Sequence, residues 1–200
     1  MRITKYTHAC VRLEQDGRVL VIDPGTWSEP DALAGADAVL VTHEHADHID
    51  VLRLAGLGVP VYAPADADIP RLAVTGITPG AEFTAAGFRV RAVGGRHAVI
   101  YDGKPDCANV GYLVDGVDGA VYHPGDSVYV PDQPVETLLV PVQGSWLKMA
   151  EAIDFVTAIA PRRAFGIHDA QLNDRGLDSV NGWLAEQTSG YRYLRPGESA

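Results

Sequence analysis

Apolar positions recur along the chain in short runs closed by glycine, proline or aspartate. Alternation predicts strands at 2–6, an edge strand, and at 11–13 and 18–22, with Asp16-Gly17 as the hairpin turn between the last two. Ala38-Val39-Leu40-Val41 is a continuous apolar run, the mark of a buried strand. Further strands are predicted at 59–62, 81–83, 88–93, 109–114, 120–122, 136–142 and 164–167, the run at 136–142 being central. The hairpin of 81–83 with 88–93 is assigned to the first sheet. A helical period governs 148–160, with Met149, Ile153, Val156 and Ile159 on one stripe and Pro161 as the stop. It also governs 177–186, with Leu177, Val180, Trp183 and Leu184 on one face. Shorter helices are expected at 50–55, ended by Gly56 and Gly58, and at 66–74, interrupted at Pro70; 27–35 is a loop with a turn of helix. Asp47 is placed to begin the helix that runs through Leu52. The tail from Arg195 to Ala200 is expected to fray.

Composition bounds this picture. Two hundred residues suit one domain, 1–200, and 46% hydrophobic residues with 21 Gly and 13 Pro suit a folded, loop-rich chain. Sixteen basic against 26 acidic side chains give a formal net charge of −10, which argues against a nucleic-acid partner though not against a local basic pocket; a small-molecule substrate is the expected partner. Cys10 and Cys107 lack CxxC spacing, so a disulfide framework is not expected; a single bridge between them is left open. Residues 1–6 lack the apolar region of a signal peptide, and no apolar run approaches the ~20 residues of a membrane span. A soluble cytoplasmic protein with no membrane partner is the expectation, with the oligomeric state open.

The chemistry gathers where the strand at 38–41 ends. His43-Glu44-His45-Ala46-Asp47-His48 puts three imidazoles and a carboxylate into six residues. His43 and His45 are two apart, so an extended backbone points both the same way. Buried without a partner, each neutral polar group costs roughly 2–7 kcal/mol. A divalent cation relieves that cost, and imidazole with carboxylate suits zinc, manganese or iron. Three more strands run out into side chains of the same kind: His97 after Gly94-Gly95, Asp126 after Pro124-Gly125, and His168 after Ile167.

His43-x-His45-x-Asp47-His48, followed in order by His97, Asp126 and His168, resembles the signature of the metallo-β-lactamase superfamily. The resemblance implies an α/β (α+β) fold, the four-layer αββα sandwich, with a two-metal site at one edge. It implies His43, His45 and His97 on one ion, Asp47, His48 and His168 on the other, and Asp126 between them. It also implies a metal-bound hydroxide that hydrolyses a small ester, lactone or phosphodiester, with Asp47 and Asp126 in the catalytic centre. Asp23, at a strand end, matches a carboxylate that orients the ligand loop; an Asp-Pro turn explains it equally well.

The chain looks most similar to the compact branch of ascorbate-6-phosphate lactonases and related hydrolases, where a His-Ala or His-Ser pair follows an early strand, as His8-Ala9 does here. That likeness gives His8 a hydrogen bond to substrate or leaving group. His123, beside Pro124, reads as a turn residue. The loop 98–108, with Tyr101, Asp102, Lys104 and Cys107, is expected to wall the substrate pocket, and Trp146 either lines that pocket or packs under the next helix. A glyoxalase-type helical domain, a nuclease's basic surface and the Glu of flavo-di-iron enzymes at the second histidine are not seen. A metal-loaded regulatory or ligand-binding module is the alternative reading, disfavoured because all seven ligand positions are filled.

Overall fold

In the computed structural model, which describes residues 1–102 and 107–200, the predicted runs assemble into two sheets. Strands β1 (Arg2–Lys5), β2 (Val11–Gln15), β3 (Arg18–Ile22), β4 (Ala38–Leu40), β5 (Val61–Pro64) and β6 (Thr75–Ile77) lie side by side in chain order. The second sheet runs from β7 (Glu82–Ala85) through β8 (Phe88–Gly94), β9 (Val110–Gly116), β10 (Gly119–His123), β11 (Thr137–Pro141) and β12 (Arg163–Ile167) to β13 (Tyr191–Arg192). Each sheet begins with antiparallel strands and turns parallel, at β3 in the first and β10 in the second. Helix α1 (Val51–Ala55) and a 3-10 turn at Pro30–Leu33 belong to the first half, and α2 (Met149–Ile159) and α3 (Asp174–Gln187) to the second.

Alternation along the strands separates the layers. In β3, Leu20 and Ile22 face the second sheet and pack with Val90, Tyr112, Val114 and Leu139 in the central core. Val19 and Val21 point the other way, into a cluster with Leu33, Ile49 and Leu54 on the outer face. The second sheet repeats the device: Leu139 faces inward, while Leu138 and Val140 pack against Phe155, Val156 and Leu184 of the helices. The result is the four-layer αββα sandwich. Each fully buried Leu or Ile contributes ~1.5–3 kcal/mol.

Several expectations need correction. The hairpin β7–β8 opens the second sheet, because β8 pairs along its length with β9; a hairpin pattern alone does not say which sheet it joins. No helix forms over 66–74: Pro70 supplies no donor and Arg71 sits at φ +69°. Asp50, not Asp47, caps α1, accepting a hydrogen bond from the Arg53 amide. Trp183 is exposed, lying about 100° round the helix from Leu184, the buried residue of α3. The tail does not fray. Ala200 and Ile3 exchange backbone hydrogen bonds, and Lys5 exchanges them with Glu198 and Gly197, so the tail covers the edge of β1. Lys104 lies outside the described residues. Among those described, no helix is long and apolar enough to cross a membrane.

Candidate metal centre

Six strands stop at one edge of the sandwich, and each delivers polar side chains there. Asp23 leaves β3, His43 to His48 follow β4, and His97, Asp126 and His168 follow β8, β10 and β12. His8 follows β1. Three of these turn the chain through the left-handed region: His8 at φ +68°, Asp23 at +51° and His168 at +61°. Non-glycine residues held there cost free energy and cluster at functional sites. Gly25 is required for closeness, since a Cβ there would overlap the Asp47 carbonyl.

The hydrogen bonds determine where each ring's bare nitrogen points. Asp23 is fully buried and accepts from the Thr42 amide (2.7 Å), the Thr42 hydroxyl (2.7 Å) and His48 Nδ1 (2.7 Å). Because the Thr42 hydroxyl donates to Asp23, His43 Nδ1 donates to Thr42 Oγ1 (3.1 Å). His97 Nδ1 donates to the Ala98 carbonyl (2.6 Å). Each of these rings therefore turns a lone pair inward on its Nε2. His43 Nε2 lies 3.0 Å from His45 Nδ1. His97 Nε2 lies 3.2 Å from Asp126 Oδ2, and His48 and His168 Nε2 lie 3.0 and 3.1 Å from Asp126 Oδ1. None of those three nitrogens, nor Asp126 Oδ1, has a well-formed hydrogen bond although all are buried.

Ligand-type atoms therefore converge on one another with few donors among them. They form two groups, His43, His45, His97 and Asp126, and His8, Asp47, His48 and His168, each with its ligand-type atoms within 4.8 Å of one another. Asp126 reaches both. Such a set fits divalent cations, which relieve what is otherwise a buried repulsion. With no cation present, burial works to lower His48, but Asp126 and Asp23 outweigh it and raise it well above the ordinary histidine range, so a proton stands where a cation would. Burial holds His43 well below the ordinary histidine range, so it is neutral. Burial works to raise the Asp126 carboxyl, but His48 and His168 outweigh it and hold the group well below the usual carboxylate range. Asp47 likewise drops to about 2, against its own burial, through His8 and His48.

His8 lies in the second group but is wired differently. The Ala170 amide donates to its Nδ1 (3.3 Å), so its Nε2 carries the proton and donates to Asp47 Oδ2 (3.0 Å). Its ring is wholly buried, with Trp27 edge-on at 4.8 Å. His123 is a structural clip, donating to the Ala9 carbonyl and accepting from the Gly125 amide. Cys10 and Cys107 are both free thiols, and Cys107 Sγ sits 3.8 Å from His45 Nε2. Beside it opens a cleft of about 280 Å3 lined by Glu44, Asp66, Gly95, Arg96, Cys107 and Ala108. Past His97, Val99 and Tyr101 stand exposed.

Sequence reasoning missed two supports of Asp126. Buried Asn109 accepts from its amide (3.0 Å) and donates to the Pro124 carbonyl (2.9 Å). Trp146, left undecided between pocket and packing, donates its indole N–H to Asp126 Oδ2 (2.8 Å). An Asn at a strand start and a Trp two residues after a glycine carry no motif of their own.

A four-layer sandwich with a His/Asp centre at one strand-end edge is the architecture of the metallo-β-lactamases, and the chain belongs to that superfamily: the family described as Beta-lactamase superfamily domain matches residues 2–168. Protein Rv0786c of Mycobacterium tuberculosis is 38% identical over 209 residues, covering 100% of this chain and 99% of that protein. The UPF0173 metal-dependent hydrolase MK1542 of Methanopyrus kandleri is 30% identical over 196 residues, covering 84% of each. Among solved structures, Igni18, a metallo hydrolase from Ignicoccus hospitalis, superposes with a TM-score of 0.77 at 20% identity, covering 100% of this chain and 97% of that one. YhfI of Bacillus subtilis, a metallo-beta-lactamase fold protein, gives 0.74 at 14% identity over 97% and 91%. These two likenesses speak for the fold.

Proposed function

We propose that the protein is a metal-dependent hydrolase with a binuclear centre. The observation that carries this is the convergence of bare, buried imidazole nitrogens on the two oxygens of Asp126. His43, His45 and His97 hold one divalent cation, Asp47, His48 and His168 the other, and Asp126 serves both; the imidazole-rich donor set favours zinc, with manganese or iron as alternatives. Cations bound there supply Lewis-acid polarisation of a substrate oxygen and lower the pKa of a bound water from 15.7 towards ~7. The chain's own residues do the rest. Asp23 and Thr42 fix the tautomers of His48 and His43. His8 donates to Asp47 Oδ2, so it acts through that carboxylate.

The substrate class is a small ester, lactone or phosphodiester, and the name of the Methanopyrus relative supports hydrolysis. The net charge of −10 supports a small molecule over a nucleic acid as partner. The test pairs elemental analysis with turnover of an ester, a lactone and a phosphodiester panel. Two divalent ions per chain are expected, with activity abolished by chelation and restored by metal. Asp126→Ala, which touches both groups, is expected to remove most activity. Wild-type turnover in that variant, or no bound metal after zinc and manganese supplementation, overturns the reading. Metal without turnover on any substrate class favours a binding module instead.

A further inference from the structure

We propose that Trp146 is a positioning residue for Asp126, the carboxylate shared by both ligand groups. The inference rests on the metal-centre reading above and adds a residue outside the seven-ligand pattern.

Asp126 is the one side chain that must serve two groups at once, so the rotation of its carboxylate matters more than that of any other ligand. Its oxygens are treated unequally. Oδ1 has no well-formed hydrogen bond and faces His48 and His168. Oδ2 faces His97 and accepts the Trp146 indole N–H at 2.8 Å. One fixed donor on one oxygen sets the plane of the whole group, while Asn109 sets its backbone. The ring is placed to act on both sides. Its centroid is 6.0 Å from that of His97 and 5.9 Å from that of His168, edge-on to each. Trp146 thus stands over the junction between the groups.

The chain makes room for this placement. A Cβ at Gly144 would come within 2.7 Å of the indole nitrogen and 2.9 Å of Cε2. The glycine allows the indole to lie against the backbone with its N–H aimed at Asp126. Trp146 is only half-buried. A core-packing tryptophan needs neither the aimed nitrogen nor the glycine beneath it.

The test measures zinc affinity on the full-length chain. Protein stripped by chelator is titrated with zinc against a chromophoric competitor, for wild type, Trp146→Phe and Gly144→Ala. Trp146→Phe keeps an aromatic ring and removes the donor; Gly144→Ala keeps the indole and displaces it. In both variants at least one zinc is expected to bind roughly ten- to hundredfold more weakly. The rise in Tm on adding zinc shrinks accordingly, while the Tm of stripped protein stays at the wild-type value. Packing alone predicts the reverse, a lower Tm for stripped protein with both zinc affinities unchanged, and that result in Trp146→Phe overturns the proposal. If Trp146→Phe does not fold, Gly144→Ala decides by the same affinities. Wild type binding no zinc defeats the metal-centre reading itself; wild type and variants binding zinc equally defeat only the role of Trp146.

Discussion

At the scale of single residues, the centre is built by telling each imidazole which nitrogen keeps its proton. Thr42 and Asp23 do this for His43 and His48, and the Ala98 carbonyl does it for His97. His8 is the exception, because the Ala170 amide occupies its Nδ1 and leaves Nε2 as a donor to Asp47. A donor nitrogen is not a ligand nitrogen. His8→Ala is therefore expected to keep both cations at saturating metal and to lower turnover, since Asp47 loses the group that orients it. His43→Ala is expected to lose metal. Metal content and rate, measured on the same preparations, separate the two, and an unchanged rate in His8→Ala makes that residue a packing residue only. The ligand-type residues were legible in the sequence because each follows an apolar run at a strand end. Thr42, Asn109 and Trp146 were not, because their roles exist only once separate strands bring them beside a ligand.

At the scale of elements, the turns after the strands do the aiming, and they are strained. His8 sits in one such turn, and Thr7 before it is tied down by Glu29, whose carboxylate accepts from the Thr7 amide (2.9 Å) and hydroxyl (2.5 Å). Partial burial works to raise the Glu29 carboxyl, but the Thr7 hydrogen bonds outweigh it and the net shift is downward. A folded pKa below the unfolded value, ordinarily ~4.3, stabilises the fold fully above that value and loses the contribution as pH falls through the depressed one. Glu29→Gln should thus lower Tm most near neutral pH, with the gap to wild type closing below about pH 4. A gap that is constant from neutral to acid pH removes Glu29 from this role. Long periodic elements such as α2 were readable from the sequence. The two-residue β13 and the tail against β1 were not, because pairing with distant partners, rather than local pattern, makes them strand-like.

At the scale of the molecule, the problem is to keep the delivering edges of two sheets in register. The central core joins the sheets but is non-directional, so polar ties at the site end carry more of the alignment. One is a buried ion pair: Lys5, at the end of β1 in the first sheet, reaches Asp169, just past β12 in the second, at 2.8 Å. The two side chains are 1% and 5% exposed, and Tyr193 donates a second bond to the same carboxylate oxygen (3.0 Å). Asp169 follows His168, so this tie fixes the loop that carries a ligand-type imidazole. Removing one partner of such a pair leaves a buried charge without compensation and costs about 3–5 kcal/mol. For a chain of this size each kcal/mol is worth about 2–4 °C. Lys5→Met should accordingly lower Tm by about 6–20 °C, whereas Lys5→Met with Asp169→Leu, which removes both charges, should recover much of the loss. A thermal melt of the two variants checks this: a single variant as stable as wild type would show that the pair does not hold the sheets together.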